Sequence, residues 1–334
     1  MPTLSITVSP TDISGLYVDN ELNVSSVLYP YPYSAIFRNN FSISTYVEAV
    51  IGEIHLNLAK GKIDKTTKIL ISSYADIPDL KLKIHSFKKI DEILESISEL
   101  KFYFESGTFS DSGEKISNLQ DATVISSENS RNYFSNIEFY PQVLPKNRSN
   151  LVSLDFSNQH VSAENDSNSH LIFSGYRFSS YQNTTLRYLR MLDLIESPGI
   201  YDILMDKSNK LINLYHLKLI QPETYENLMT SSVFTRVGTV IKAKGGVECL
   251  VESALNTSQI LDVKDNEIFV LPIEEHSEVR LVLKNQSLNS KEKYARGGSL
   301  GLVIDTRHKI TDPNVYEMQL PHFENSINSV LRDF

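Results

Sequence analysis

The spacing of apolar residues changes along this 334-residue chain, and that change most constrains its fold. Up to about residue 230, apolar positions follow both the two-residue period of a strand and the 3.6-residue period of a helix. From Phe234 to Asp305 the helical period is nearly absent, and short apolar runs alternate with turns. The pattern predicts an α/β part followed by an all-β part.

The first α/β unit is placed at residues 1–149. Residues 3–8 alternate apolar and polar side chains, as a half-buried strand does. Ser42 is a suitable cap for a helix whose apolar residues recur on one face. The predicted elements are strands at 3–8, 16–18 and 68–71 and helices at 43–58 and 90–100.

A second α/β unit is placed at residues 150–230. The predicted elements are a strand at 151–156 with a hairpin partner at 159–163, strands at 170–175 and 200–205, and a helix at 186–195. Pro198-Gly199 ends that helix, since neither residue continues a helix well. Two α/β units therefore follow each other along the chain.

The β-rich segment at 231–310 carries short apolar runs at regular spacing. Strands are predicted at 237–241, 247–251, 268–271, 279–283 and 301–304, which favours a small barrel-like domain. The tail, 311–334, places its last apolar residues on one stripe of a short helix that follows Pro321. We expect this amphipathic helix to pack on its own chain rather than in a partner's groove.

Composition excludes several classes of function. The net charge of −9 argues against a nucleic-acid surface, because neutralising phosphates requires clustered Lys and Arg. A single cysteine excludes internal disulfides and multi-cysteine metal sites. No run of about 18 apolar residues occurs, and the first residues do not resemble a secretory signal. These features predict a cytoplasmic protein without a membrane span.

Common catalytic and phosphate-binding motifs are missing from the sequence. It contains no P-loop, no Gly-x-Gly-x-x-Gly and no Gly-x-Ser-x-Gly. No two of the eight histidines are spaced as metal ligands on one helix, although a site built from distant His and Asp residues stays open. Cys249 lies in an apolar run, which favours a buried small side chain over a nucleophile. We therefore assign no catalytic residue and no metal ligand.

One turn deserves comparison with phosphate-binding turns. Asp155 ends a predicted strand and is followed by Phe156-Ser157-Asn158-Gln159 and a hairpin. Actin, sugar kinases and related ATPases hold phosphates at such a turn through glycine amides and an Asp that positions Mg²⁺. This turn contains no glycine, so close backbone approach is compromised. An ordinary turn residue is the favoured interpretation of Asp155.

Several strings resemble one protein family. They are Met191-Leu192-Asp193 with Pro198-Gly199-Ile200, then Gly238-Thr239-Val240-Ile241, and Gly297-Gly298-Ser299-Leu300-Gly301-Leu302-Val303-Ile304-Asp305-Thr306-Arg307. In this order they resemble the MutL-like proteins described as accessory to glutamate mutase, which have the actin-like ATPase fold. The resemblance covers roughly residues 150–307. The chain departs from the family at the phosphate turn and at the adenosine loop, where Ser174-Gly175-Tyr176 replaces Gly-Gly.

The resemblance implies tandem actin- or sugar-kinase-like α/β units followed by the small all-β domain. Because the phosphate-loop glycines are missing, the first hypothesis is a non-catalytic or weakly catalytic scaffold or assembly protein that needs no cofactor. The second is a Mg-dependent ATP-binding or ATP-hydrolysing protein. Its ATP and Mg²⁺ would be held by Asp12, Asp155, Ser157, Asn158 and Gly175. The third is a ligand- or peptide-binding module that uses the β-rich domain.

The glycines at the end of the β-rich segment also have a purely structural interpretation. Gly297, Gly298 and Gly301 flank a predicted strand, where backbones approach closely or a bulge bends the wall. Closure of the β domain is favoured over a ligand loop. The expected partner is another protein of unspecified identity, with no nucleic acid, and self-assembly stays open.

Overall fold

The structure is a computed structural model of a mixed α/β protein. It describes residues 2–8, 12–30, 43–58, 67–73, 77, 83–97, 101–104, 169–174, 184–195, 197–208, 210–229, 233–253, 257–288, 292–308 and 313–331. Within these residues the strands form three sheets, and the helices are few. The predicted α/β class is confirmed at this level. The predicted hairpin at 151–163 lies outside the described residues.

The N-terminal residues form a five-stranded sheet in the order β3-β2-β1-β4-β5. Its strands are β1 (Thr3–Val8), β2 (Asp12–Val18), β3 (Val24–Pro30), β4 (Lys68–Ser73) and β5 (Ser86–Lys89). β1, β4 and β5 are parallel, whereas β2 and β3 complete an antiparallel meander with β1. The strands predicted at 3–8 and 68–71 are present, β2 begins earlier than predicted, and β3 is an addition.

Helix α1 (Ile43–Leu58) covers one face of this sheet, as its apolar period predicts. Val47 and Ile54 of the helix are fully buried together with Leu4 and Ile6 of β1. Because side chains alternate across a strand, the polar residues of β1 lie on the opposite face. That opposite face is also buried, so the sheet has an apolar side and a partly polar side.

A six-stranded sheet follows in the order β12-β15-β9-β8-β7-β6. Its strands are β6 (Lys101–Phe104), β7 (Ser169–Ser174), β8 (Gly199–Met205), β9 (Thr235–Lys242), β12 (Ile268–Leu271) and β15 (Gly301–Asp305). β6, β7 and β8 are parallel, and β9 is antiparallel to β8. The helix predicted at 90–100 is shorter, because α2 (Ile90–Glu95) ends before β6 begins.

A four-stranded antiparallel sheet packs against β9, β12 and β15. It consists of β10 (Val247–Ser253), β11 (Ser258–Val263), β13 (Glu278–Lys284) and β14 (Glu292–Arg296), in the order β11-β10-β13-β14. Cys249 and Leu281 of this sheet share a core with Ile241 and Leu302. Among the described residues, the strands of the predicted barrel-like domain at 231–310 divide between two sheets, and the domain boundaries stay a prediction. Three of its strands, β9, β12 and β15, continue the sheet of the second unit. The other four strands pack against these three as a second layer, so the segment is a two-layer sandwich that shares one layer with the second unit.

Two helices cover the other face of the six-stranded sheet. They are α3 (Thr184–Asp193) and α6 (Pro313–Leu331), which are joined by a hydrogen bond of 2.5 Å from Thr185 Oγ1 to Asn328 Oδ1. Phe323 and Ile327 of α6 are buried in the core beneath, so the C-terminal helix packs on its own chain. Pro321 lies inside the helix instead of before it. Among the helices of the described residues, none is long and apolar enough to cross a membrane.

Two adjoining helices, α4 (Lys210–Ile220) and α5 (Pro222–Met229), were not among the predicted elements. The residues from Leu211 to Leu217 of α4 are all buried. They pack with Leu16 and Leu70 of the first sheet and with Ile172 of the second. Because apolar residues face every side of this stretch, its helical period is weak in the sequence. α4 is the element that joins the two large sheets.

Candidate functional site

The carboxyl ends of β1, β4 and β5 in the first sheet and of β6, β7 and β8 in the six-stranded sheet lie on the same side of the molecule. α4 sets this arrangement by packing antiparallel to β1: Thr7 near the end of β1 bonds Asn213, whereas Thr3 bonds Gln221 after the helix. The N-terminus of α4 therefore lies at the carboxyl end of β1, and it also follows closely from the carboxyl end of β8. Because open α/β sheets bind ligands at this edge, we take the shared edge as the candidate site.

A row of hydroxyl side chains crosses the first sheet close to this edge. Thr7 lies between Ser14 and Ser72 in the strand register, and all three are buried on the face that α4 covers. We call these three residues the hydroxyl row. Thr7 Oγ1 donates to Asn213 Oδ1 at 3.0 Å, and Asn213 Nδ2 donates to Ser14 Oγ at 3.0 Å. The Asn213 amide therefore provides hydrogen-bond partners for buried hydroxyls on two strands.

His216 continues this polar contact one turn along α4. Its Nδ1 lies 2.8 Å from Ser72 Oγ, and its Nε2 lies 2.9 Å from Ser86 Oγ. Burial, with a smaller contribution from the positive charge of Lys88, lowers the pKa of His216 to about 4. The neutral ring suits two hydroxyl partners, since one nitrogen donates and the other accepts. Both ring nitrogens of His216 therefore have a hydrogen-bond partner within the chain.

Asp12 lies at the shared edge, as the hypothesis of a nucleotide site requires. It begins β2, two residues before Ser14 and on the same face of the sheet, and it is only 1% exposed. The other residues proposed for that site are Asp155, Ser157, Asn158 and Gly175, which lie outside the described residues. That these residues hold ATP and Mg²⁺ together with Asp12 stays a prediction.

Asp206 is a second buried carboxylate at this edge, and no motif in the sequence marks it as a site residue. It follows β8 directly and is 1% exposed. Its Oδ2 accepts hydrogen bonds from Ser174 Oγ at 2.7 Å and from the backbone N of Leu211 at 2.8 Å. Its Oδ1 accepts one from the backbone N of Ser208 at 3.3 Å. Asp206 thereby ties the ends of β7 and β8 to the first turn of α4.

Four charged residues form a buried cluster away from this edge, between β9, β15, α3 and α6. Arg307 binds both oxygens of Asp305 at 3.0 Å and reaches Asp193 at 2.8 Å, while Lys242 Nζ lies 2.9 Å from Asp305 Oδ2. The Arg307 guanidinium also lies over the ring of Phe323. We call Asp193, Lys242, Asp305 and Arg307 the charge cluster. Its two cations balance its two anions.

Electrostatics within the charge cluster favour the ionised carboxylate. Burial alone would raise the pKa of Asp305, but the charges of Arg307 and Lys242 outweigh it, and the pKa is lowered. Burial lowers the pKa of Lys242, and Arg307 opposes the attraction that Asp305 exerts. Arg307 is therefore the stronger partner, because its two parallel hydrogen bonds match the carboxylate. The cluster explains the end of the Gly297–Arg307 string as a structural feature.

The glycines of that string permit backbones to approach closely. Gly301 has φ of +79° and pairs with Gly238, whose φ is +142°. A Cβ on Gly238 would lie 2.0 Å from the Gly301 carbonyl oxygen, and one on Gly301 would lie 2.4 Å from the Leu271 carbonyl oxygen. A bulge in the pairing of β8 with β9 falls at Ile203 and Leu204, next to Gly238. The structural interpretation of these glycines agrees with this geometry.

The described residues offer limited material for metal or thiol chemistry. Among them, no three His, Cys, Asp or Glu side chains are grouped so that they could hold a metal ion. Cys249 is fully buried in the sandwich core, and burial raises the pKa of its thiol to about 12. That environment is typical of an unreactive thiol, as its apolar neighbours in the sequence predict.

Comparisons with known proteins add little to this geometry. No protein-family model and no curated protein sequence matches the chain. A solved structure described as a "putative sugar kinase" from Cytophaga hutchinsonii is 12% identical and covers 66% of this chain and 99% of that chain, with a TM-score of 0.28. At that TM-score the match carries no argument about fold or function.

Proposed function

We propose that this protein is a non-catalytic or weakly catalytic actin-like scaffold that acts through contacts with other protein chains. The observation that carries the proposal is the role of Asp206. This carboxylate occupies the shared edge, yet both of its oxygens accept hydrogen bonds from its own chain. Such a carboxylate stabilises the junction of two sheets and α4, and it is poorly suited to bind a metal ion or activate water.

The two-unit arrangement supports the actin-like part of the proposal. The first unit has the strand order β3-β2-β1-β4-β5, and a buried helix connects it to the parallel strands of the second unit. Assignment to the MutL-like family is a finer proposal that rests on the sequence strings alone. In a scaffold, the hydroxyl row and Asp206 hold the two units in one fixed orientation.

ATP hydrolysis by the full chain tests this proposal. We expect phosphate release in Mg-ATP to equal the buffer background, and Asp12→Asn to leave it there. Thermal unfolding of the variant verifies that it folds. A sustained release many times above background that Asp12→Asn abolishes, while the variant still unfolds cooperatively, would overturn the scaffold assignment in favour of an ATPase.

A second candidate function is Mg-dependent ATP binding, which the shared edge favours. Ligands of open α/β sheets bind at the carboxyl ends of strands, and Asp12 lies there. The residues present fit such a group only in part: Asp12 is an acceptable carboxylate near Mg²⁺, whereas the hydrogen bonds of Asp206 leave it unsuited to that role. Bound Mg-ATP would supply the phosphate chemistry, and Asp12 is the described residue that would lie near its Mg²⁺.

A further inference from the structure

We infer that the outer edge of β11 is a self-association surface, where a second copy of this chain adds its own β11 antiparallel to form one continuous eight-stranded sheet. This inference deepens the proposed scaffold function and rests on it for its biological meaning. Its physical basis is independent, because it depends only on the geometry of the four-stranded sheet.

The outer edge of β11 exposes the backbone N–H and C=O groups of alternate residues. β11 is the terminal strand of its sheet among the described residues, and it pairs with β10 on its other side. The backbone N of Ser253 donates to the carbonyl of Thr257 at 3.0 Å, which marks that pair as hydrogen-bonded. Because such pairs alternate in an antiparallel ladder, the N–H and C=O groups of Ser258, Ile260 and Asp262 point away from β10.

An apolar row ends at the same edge. Ile260 lies beside Leu250, and Leu250 lies beside Val282, on the outer face of the sheet. Leu250 and Val282 are half-buried, but Ile260 is 68% exposed in the middle of the edge strand. An exposed apolar side chain at the centre of an unpaired strand is the usual template for pairing with another strand.

One register satisfies the backbone and the side chains together. With Ile260 opposite Ile260 of the second copy, Ser258 and Asp262 of each chain face Asp262 and Ser258 of the other. All three outward-pointing residues then pair, which gives about six main-chain hydrogen bonds. Every other register that keeps the two outer faces on one side forms fewer such pairs between the described residues.

Charge complementarity supports the same register. Asp262 lies beside Glu248 of β10, so its other neighbour should not be acidic. In the proposed dimer that neighbour is the Ser258 hydroxyl of the second copy, which can donate to the carboxylate. The other charges of the face are already matched, since Arg280 binds Glu252 and Glu292 at 2.5 and 2.6 Å. The apolar row becomes continuous across the two-fold axis, as an isologous contact requires.

Sedimentation velocity of the full chain at increasing concentration tests the dimer. The paired edge is small compared with the roughly 1,200 Å² of a stable interface, so we expect a monomer–dimer equilibrium in the micromolar range. Ile260→Lys places two like charges on the axis and should weaken the dimer at least about tenfold. Tyr294→Lys, on the opposite edge strand of the same sheet, is the matched control and should leave the equilibrium unchanged.

Cross-linking locates the contact. Ile260→Cys should form a disulfide-linked dimer under a mild oxidant that accepts the two electrons, because facing Cα atoms in such a pair lie about 5.5 Å apart. Tyr294→Cys should not, and the buried Cys249 should not contribute. A chain that stays monomeric at all concentrations, or a dimer that Ile260→Lys leaves intact while unfolding normally, would overturn the inference. Neither result depends on nucleotide, so the scaffold proposal is tested separately by hydrolysis.

Discussion

The molecule contains two buried polar regions that solve the same problem with different chemistry. The hydroxyl row joins the first sheet to α4 through neutral groups, namely hydroxyls, the Asn213 amide and the His216 ring. The charge cluster joins the six-stranded sheet to α3 and α6 through two cations and two carboxylates. Both regions replace apolar contact with directional bonds where large elements meet.

The difference between the two regions lies in the cost of losing one partner. A neutral group left unsatisfied in the interior costs about 1–3 kcal/mol, and some hydroxyls can reorient. A buried charge left without its partner costs about 3–5 kcal/mol, because desolvation is no longer offset. The charge cluster should therefore be the more sensitive region to single substitutions. The hydroxyl row should be the more sensitive to mild acid, because Ser72 binds the titratable ring of His216.

The largest expected effect comes from Asp305→Asn. The variant leaves Arg307 and Lys242 buried with less than their matching negative charge, so we expect the free energy of unfolding to fall by about 3–5 kcal/mol. Chemical denaturation with two probes measures this. Glu292→Gln, which removes an exposed partner of Arg280, is the control and should change the midpoint little. Equal losses of stability in the two variants would show that the buried charge cluster is no more sensitive than an exposed ion pair.

Acidification should destabilise the two regions in different ranges of pH. The pKa of His216 is about 4 in the folded chain and near 6.5 when exposed, so between these values the unfolded state binds more protons. The free energy of unfolding should therefore fall as the pH drops from 6.5 towards 4, by about 3 kcal/mol in all. Asp305, whose folded pKa is below 3.8, should contribute its loss only in stronger acid.

A variant at the same position isolates the histidine. His216→Gln keeps a neutral hydrogen-bonding group near Ser72 and removes the titrating ring. We expect its stability to be nearly constant between pH 6.5 and 4, although its value at pH 7 is lower. A wild-type curve as flat as that of the variant would show that His216 does not titrate between folded and unfolded states.

A smaller loss is expected from Asn213→Ala. The change removes the bonds to Thr7 and Ser14 and leaves two buried hydroxyls to reorient, which should cost about 1–3 kcal/mol. Asn227→Ala on the exposed side of α5 is a comparison variant within the same helical pair and should cost less. If Asn213→Ala destabilised the chain more than Asp305→Asn, the ranking of neutral and charged junctions would be wrong.

The smallest expected effect is on the rate at which the Cys249 thiol is labelled. The thiol is buried in the sandwich core, and its pKa is raised to about 12, so native labelling by an aromatic disulfide should be slow. Asp305→Asn should accelerate labelling, because the charge cluster borders the same sandwich wall. Asn213→Ala should leave the rate nearly unchanged. Identical acceleration in both variants would mean that the molecule opens only as a whole.

The sequence predicted individual helices and strands better than it predicted the contacts between them. The period of β1 and α1 follows from local side-chain alternation, so both were found at their observed bounds. α4 was missed because every residue from Leu211 to Leu217 is buried, so its apolar residues do not mark one face in the sequence. The spacing of the strands in 231–310 does not reveal that β9 pairs with β8 and so joins this segment to the six-stranded sheet.

The same limit applies to the candidate site. Asp12 was named among the residues that would hold ATP and Mg²⁺, and it lies at the shared edge. Asp206 and Asn213 could not be selected, since their roles depend on contacts with residues far away in the chain: Asn213 bonds Ser14, and Asp206 bonds Ser174. Such partners become visible only when the sheets are in place.

Thermal unfolding of the full chain with and without millimolar Mg-ATP tests the central claim most directly. A ligand at a hundred times its Kd that binds only the folded state adds about 2.7 kcal/mol of stability, which raises the Tm by several degrees. If the shared edge serves only as a structural junction, Mg-ATP leaves the Tm of the full chain and of Asp12→Asn unchanged, which is the result we expect. A rise in Tm with Mg-ATP that Asp12→Asn removes would contradict it.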